Sequence, residues 1–444
     1  MKTLKITAVE VFHLNPPPPV EKGTPPKRDS WRTVFKQANP RNKFDPPIPR
    51  REPGDLVWVK ITADDGTWGL GCTDTGNVAA VLIRECLTPI IIGEEVGAID
   101  RCNDRLWRGT LSYGNEGLTA RTIAGIDLAL WDLWGKTLNQ PVYRLAGGPA
   151  RSSMDVYLTG NDVDWGLELG FQKFKLARPH GVYDGQAGID VTVDLIAKTR
   201  EQIGPKADLM LDCWMAYDVD YAVRMCEALR PYRMAWMEEM LMPHDWRGLK
   251  ALRQRVPYQT MATGEHWSTR WPGIRGIEDR LVDLIQADIH WIGGFTEAMK
   301  LAHVADAAGI PMCLHTGANN LYGQHWTAAM PNTPLIELFQ ASDPGVPLEE
   351  CYLGSPSESG RRCYRTTPGT PMPQNGKLGL PPGPGFGLQI PKTGYNLFKG
   401  HTYAGHFPSF ANTSRTPRRS RSPRIGRNFR GSNPPFQSLI PSLS

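Results

Sequence analysis

The sequence has no run of eighteen apolar residues, so nothing in it reads as a membrane-spanning helix. Its opening, MKTLKITAVEVFHL, alternates as a strand does and lacks the apolar stretch of a secretory leader, so a cytoplasmic protein is expected. Cysteine is sparse. The eight (Cys72, Cys86, Cys102, Cys213, Cys226, Cys313, Cys351 and Cys363) are scattered with no C-x-x-C pair, which speaks against a zinc site or a disulfide framework and for reduced, mostly buried thiols. A strong charge of one sign is also missing from most of the chain. The formal charge is +5, but residues 409–444 hold seven arginines and no acid, leaving residues 1–408 at −2. No nucleic-acid partner is therefore expected of the folded part.

What remains is an ordinary globular composition, 40% hydrophobic and 21% charged, in a chain long enough for two domains or a large barrel with additions. The first strand runs into a stretch rich in proline, from NPPPPVEKG to PPIPRREPGD, so residues 15–54 are expected to form a long mobile loop. DLVWVKITADDGTWGLGC reads as a hairpin turning at Asp65-Gly66. Helical periodicity follows at 77–92, 98–110 and 119–138, which makes residues 1–145 an α+β capping domain.

From about residue 153 short apolar runs alternate with amphipathic helices, the signature of βα units and a parallel sheet. Eight runs stand out: MDVYL (154–158), FQKFK (171–175), DLMLD (208–212), RMAWME (233–238), YQTMATG (258–264), VDLIQA (282–287), PMCLH (311–315) and LIELF (335–339). They predict a modified (β/α)8 TIM-type barrel over residues 146–340. Residues 341–392, rich in Pro and Gly, are expected to return and close the cap. Residues 393–444, a basic Ser/Arg/Pro-rich tract, are expected to be a disordered tail without a part in catalysis.

Barrel enzymes carry their chemistry at the carboxyl ends of strands. Here those ends hold Lys175, Asp212, Glu238, Glu265, Asp288, His315 and Glu337, separated by 37, 26, 27, 23, 27 and 22 residues. Most of these spacings match one βα unit, so the side chains converge. Asp212, Glu238 and Glu265 end three adjacent strands, and three carboxylates held together repel unless a cation lies between them. All-oxygen ligation points to Mg²⁺. A strand-end Asp is also a common helix cap, which is the plainer reading of each acid taken singly. Asp288 beside His315 orients an imidazole as a general base. Lys175 offers charge to a substrate carboxylate or a second base, and Glu337, buried in an apolar strand, offers a hydrogen bond to substrate or to developing charge. His266 and Arg270, in GEHWSTRW, follow the third acid as substrate contacts. Together these parts suit removal of a proton next to a carboxylate.

These residues resemble the enolase superfamily and, within it, the mandelate racemase group. Asp212, Glu238 in WMEE and Glu265 in TGEH are similar to its metal triad, Asp288 with His315 to its dyad, and IAGIDLALWDLWGKTLNQPVYRLAGG to the segment leading from cap to barrel. FKLARPHG, LMLDCWMAYDVDYAVR, ATGEHWSTRW, DLIQADIHWIGGFTEAMK and NTPLIELF resemble the L-rhamnonate dehydratases of that group. The chain differs from the usual pattern at Ala287, His290 and Trp267. The resemblance implies a Mg²⁺ cofactor, a sugar-acid substrate and a homo-oligomer. It implies dehydration of an aldonate to a 2-keto-3-deoxy acid, with His315 taking the C2 proton and returning it to the C3 hydroxyl, and with Arg51 holding the substrate. Two alternatives stay open: a racemase or epimerase using Lys175 and His315 on opposite faces, or a binding protein acting through its arginine-rich tail.

Overall fold

In the computed structural model of the protein, residues 3–14, 56–177, 180–339, 370–388 and 395–397 are described. The expected loop 15–54, with Arg51, and the tail from residue 398 onward lie outside the described residues.

The cap begins with β1 (Ile6–Leu14), β2 (Val57–Ala63) and β3 (Trp68–Thr73), an antiparallel meander. The β2–β3 turn falls where expected: Gly66 takes a φ of +87°, and the Asp65 carboxylate accepts the Thr67 N–H at 2.8 Å. Helix Leu118–Thr137 lies on β3 with almost no side chain between them. A Cβ on Gly71 would stand 2.0 Å from the Gly125 carbonyl oxygen, so only glycine admits this approach. Fourteen of that helix's twenty residues are buried, because its other side packs on the barrel helix Phe295–Ala307. Two of the buried residues are acids that serve backbone donors. Asp127 accepts the Thr296 N–H at 2.9 Å, and Asp132 accepts those of Leu70 and Phe386 at 2.8 Å each. Burial pushes Asp127 up to about 7.

The barrel strands are β4 (Ser153–Thr159), β5 (Lys173–Ala177), β6 (Asp208–Asp212), β7 (Met237–Glu238), β8 (Met261–Thr263), β9 (Leu284–Ile285) and β10 (Ile336–Phe339). They are parallel neighbours in the order β10-β4-β5-β6-β7-β8-β9. The eighth position is filled by PMCLH, which makes a bridge and no longer strand: Met312 pairs with Ile285, and the N–H groups of Cys313 and His315 bond to Ile285 and Ala287. RMAWME is likewise reduced to two paired residues, since Arg233 enters with a φ of +50°. The expected strands thus occupy their places around a barrel, shorter than their apolar runs.

Tyr157, Met210, Trp236, Ala262, Leu284 and Cys313, one from each of six strand positions, form a buried cluster inside the barrel. This floor sets what stands above it, because alternate residues share a face.

The chain then returns. β11 (Lys377–Gly379) pairs antiparallel with β4, the carbonyl of Gly385 accepts from Val142, and β12 (Tyr395–Leu397) adds to β1 as the fourth cap strand. β12 lies within the stretch expected as tail.

Candidate active site

Two residues beyond the floor, the same strand faces present the expected chemistry: Met210 leads to Asp212, Trp236 to Glu238, Cys313 to His315, and Leu335 to Glu337. Asp212 and Glu238 are direct partners in the β6–β7 register. On β8 the inward position after Ala262 is Gly264, whose φ of +130° passes the role to Glu265 one residue later. Asp212 and Glu238 are not helix caps. The helices after β6 and β7 are capped instead by Asp218, which accepts from Tyr221, and Asp245, which accepts from Gly248.

The structure brings Lys175, Asp212, Glu238, Glu265, Asp288, His315 and Glu337 together, all nearly inaccessible to solvent. Lys175 Nζ donates to Glu238 Oε1 at 2.5 Å and to Glu337 Oε1 at 2.8 Å. Burial opposes its charge, yet Glu238, Glu337 and Asp212 hold its pKa well above the ordinary lysine value. Glu337 is occupied on both oxygens, Oε1 also by the Thr159 hydroxyl and Oε2 by the Thr316 N–H at 2.7 Å. Burial pushes it up, but Lys175 and His315 together bring it below its usual range. His315 Nδ1 bonds Asp288 Oδ2 at 2.8 Å, which directs Nε2 into the site, 3.4 Å from Glu265. Burial works against its charged form, while Glu265, Asp288 and Glu337 outweigh that and set its pKa at about 9.

Burial pushes Asp212 and Glu238 up to about 7, and pushes Glu265 up as well. With Glu239, Asp288 and Glu337 the cluster holds six buried carboxylates against one lysine and three imidazoles, the third being His290, 3.7 Å from Asp288. Such an excess of buried negative charge, almost all of it on oxygen donors, fits a divalent cation.

Glu239 is a residue that sequence reading passed over, although the doubled acid in WMEE is its signal. Its ligand atom lies within 4.8 Å of those of Glu265 and His266, a grouping of three potential metal ligands. His266 bonds Glu239 at 2.9 Å and stands 3.3 Å from Glu265. Against the effect of burial, those two acids raise its pKa to about 9. Arg270 is placed differently from a substrate contact: its backbone N–H and its guanidinium both go to the buried Glu297, at 3.1 and 2.7 Å. Thr159, which donates to Glu337, and Trp291, whose ring centroid is 5.5 Å from that of His315, also carry no mark in the sequence.

Backbone strain gathers here. Of the nine non-glycine residues with positive φ among the described residues, five follow site residues within four positions: Trp214, Met215, Glu239, Thr269 and Thr316. Such conformations cost of order 1–3 kcal/mol each and persist where surrounding structure imposes them.

A barrel with an α+β cap and buried acids at its strand ends defines a class, and the chain belongs to it: the enolase superfamily, in its mandelate racemase group. Residues 33–147 match the mandelate racemase / muconate lactonizing enzyme N-terminal domain, and residues 163–393 match the enolase C-terminal domain-like family. Within that class the chain is similar to the L-rhamnonate dehydratase of Saccharopolyspora erythraea, 37% identical over 338 residues that make up 76% of this chain and 83% of that one. It is also similar to the crystal structure of L-rhamnonate dehydratase from Gibberella zeae, with a TM-score of 0.77 and 30% identity over 88% of this chain and 95% of that one. A second structure from that organism, rhamnonate dehydratase complexed with Mg, gives a TM-score of 0.75 and 29% identity over 88% and 95%.

Proposed function

We propose that the protein is a Mg²⁺-dependent sugar-acid dehydratase, a hydro-lyase that converts an L-rhamnonate-like aldonate to a 2-keto-3-deoxy acid. The observation that carries this reading is the 2.8 Å His315–Asp288 pair, set beside buried carboxylates that have more negative charge than the site's own cations balance. Asp212, Glu238 and Glu265 would hold Mg²⁺, which supplies positive charge against the substrate carboxylate and the enediolate. Glu239 stands near enough to Glu265 to steady that carboxylate through His266.

His315 takes the C2 proton on Nε2, because Nδ1 is engaged by Asp288. Glu265 is the largest of the interactions that raise its pKa, so a cation held by Glu265 would shift the imidazole toward the neutral form that a base requires. The C–H electron pair forms the enediolate, which expels the C3 hydroxyl. His315 gives that hydroxyl the proton it holds, so water leaves; the enol left across C2 and C3 then ketonises, losing its O–H proton and gaining one at C3, and no oxidant is needed. Lys175 contributes positive charge beside the enediolate, and Glu337 keeps it in place. Two carboxylates within 2.8 Å of Nζ keep Lys175 an ammonium, which suits it to hold positive charge beside the enediolate. Arg51 and His266 are assigned to substrate binding, while Arg270 braces the site through Glu297. A cytoplasmic homo-oligomer completes the reading. It rests on the resemblance to the group and is checked by light scattering.

The test is incubation with Mg²⁺ and L-rhamnonate, L-lyxonate, L-mannonate, D-gluconate or D-galactonate, following 2-keto acid as its semicarbazone. One or two substrates should react, and His315→Asn and Glu238→Gln should each lower the rate by about 10³-fold or more. Silence across the panel from folded, Mg²⁺-binding protein would overturn the dehydratase. Deuterium entering C2 without loss of water would replace it with an epimerase.

A further inference from the structure

Two cap residues reach the catalytic face through one indole. Trp291 Nε1 donates to Asp74 Oδ2 at 2.7 Å, the Arg121 guanidinium lies 3.9 Å from the indole centroid, and Arg121 and Asp74 approach each other at 3.5 Å. Asp74 follows β3, and Arg121 is on helix Leu118–Thr137, so both partners belong to the cap while Trp291 belongs to the barrel. The indole is half-buried, with the His315 ring 5.5 Å away and the His266 ring 5.2 Å away. The groups around the base nitrogen are charged or hydrogen-bonding, and Trp291 brings an apolar surface among them.

We infer that Trp291 is a specificity-determining residue: its indole is the wall against which the substrate carbons beyond C3 pack, and the Asp74–Arg121 pair of the cap sets where that wall stands. This rests on the dehydratase reading for the orientation of the substrate. C1 to C3 are spoken for by the acid cluster, Lys175 and His315. The remaining chain passes the flank of the base, where the indole face turned away from Arg121 rewards C–H surface over a hydroxyl. A 6-deoxy sugar acid is therefore favoured over its 6-hydroxy counterpart. An apolar contact rejects an analogue that adds one hydroxyl by roughly tenfold to a hundredfold.

L-rhamnonate and L-mannonate differ only at C6, and their binding can be compared without turnover. Isothermal titration of the full-length His315→Asn protein, with Mg²⁺ present, gives the ratio of the two dissociation constants. The same ratio is then measured with Trp291→Ala, Trp291→Gln or Asp74→Ala added. The parent should prefer L-rhamnonate about tenfold, Trp291→Ala and Trp291→Gln should bring the ratio close to one, and Asp74→Ala should move it part of the way. Trp291→Gln keeps a side chain in place of the indole, so the measurement stands if the alanine variant does not fold. A ratio that both Trp291 variants leave unchanged would overturn the assignment, and an unchanged ratio in Asp74→Ala would remove the cap from it. If the active protein binds both acids and forms no keto acid, the dehydratase reading falls while the binding ratio still decides the role of Trp291.

Discussion

Asp212 and Glu238 sit side by side in register, and burial pushes both up to about 7. A group raised in the folded state contributes stability that is full below its ordinary pKa, here 3.8 and 4.5, and is lost as pH rises through the folded value. Without a cation the site is thus a liability at neutral pH, and a cation reverses it by favouring the ionised forms. Since ligands must lose their protons to bind, Mg²⁺ titrated at pH 7 should release protons, from these carboxyls and from His315 as its Glu265 partner is engaged, and the carboxyl share should vanish well above that pH. Calorimetry in two buffers of different ionisation enthalpy reads the number released. Identical heats in both buffers at pH 7 would mean that these carboxyls are already ionised or do not meet the metal.

Among the elements, helix Leu321–Ala329 binds three parts of the molecule through one imidazole. His325 Nδ1 accepts the Tyr143 N–H at 3.2 Å, and Nε2 donates to the Pro382 carbonyl at 2.9 Å, so the ring is neutral with its proton on Nε2. Burial holds its pKa down to about 3 from an ordinary 6.5. The sign follows: stability is complete above 6.5 and is lost as pH falls from there toward 3, because only the unfolded chain takes the proton. At pH 5 the loss is about 2 kcal/mol. Because Asp212 and Glu238 change stability in the opposite sense over this range, the loss is read as a difference: from pH 7 to pH 5, urea unfolding of the wild type should lose about 2 kcal/mol relative to a His325→Gln protein. Equal changes in the two proteins would place the acid sensitivity elsewhere.

At the scale of the whole molecule, the cap and the barrel are tied by residues remote in sequence. Asp132 holds the N–H of Phe386, and β12 completes the sheet begun by β1. Removal of residues 398–444 is therefore expected to leave dehydratase activity within about twofold, whereas removal from residue 393 onward strips β12 from β1 and should lower the melting temperature. A truncation at 398 that loses activity would give the arginine-rich tract a part in the reaction. By itself the sequence determined the barrel, its capping domain and the principal chemistry. Period-two strands recurring at the spacing of a βα unit bring every strand-end side chain to one face, and that geometry is local and repetitive. Only the tertiary structure decided which neighbours each group meets: that Asp218 and Asp245 take the capping work left open for the site acids, that Arg270 belongs to Glu297, and that Glu239 joins Glu265 and His266. The clamp of Asp74 and Arg121 on Trp291 spans 217 residues at its first bond, and no periodicity reaches so far. Such contacts depend on how the ring closes and where the cap settles on it, which side-chain alternation along a strand does not encode.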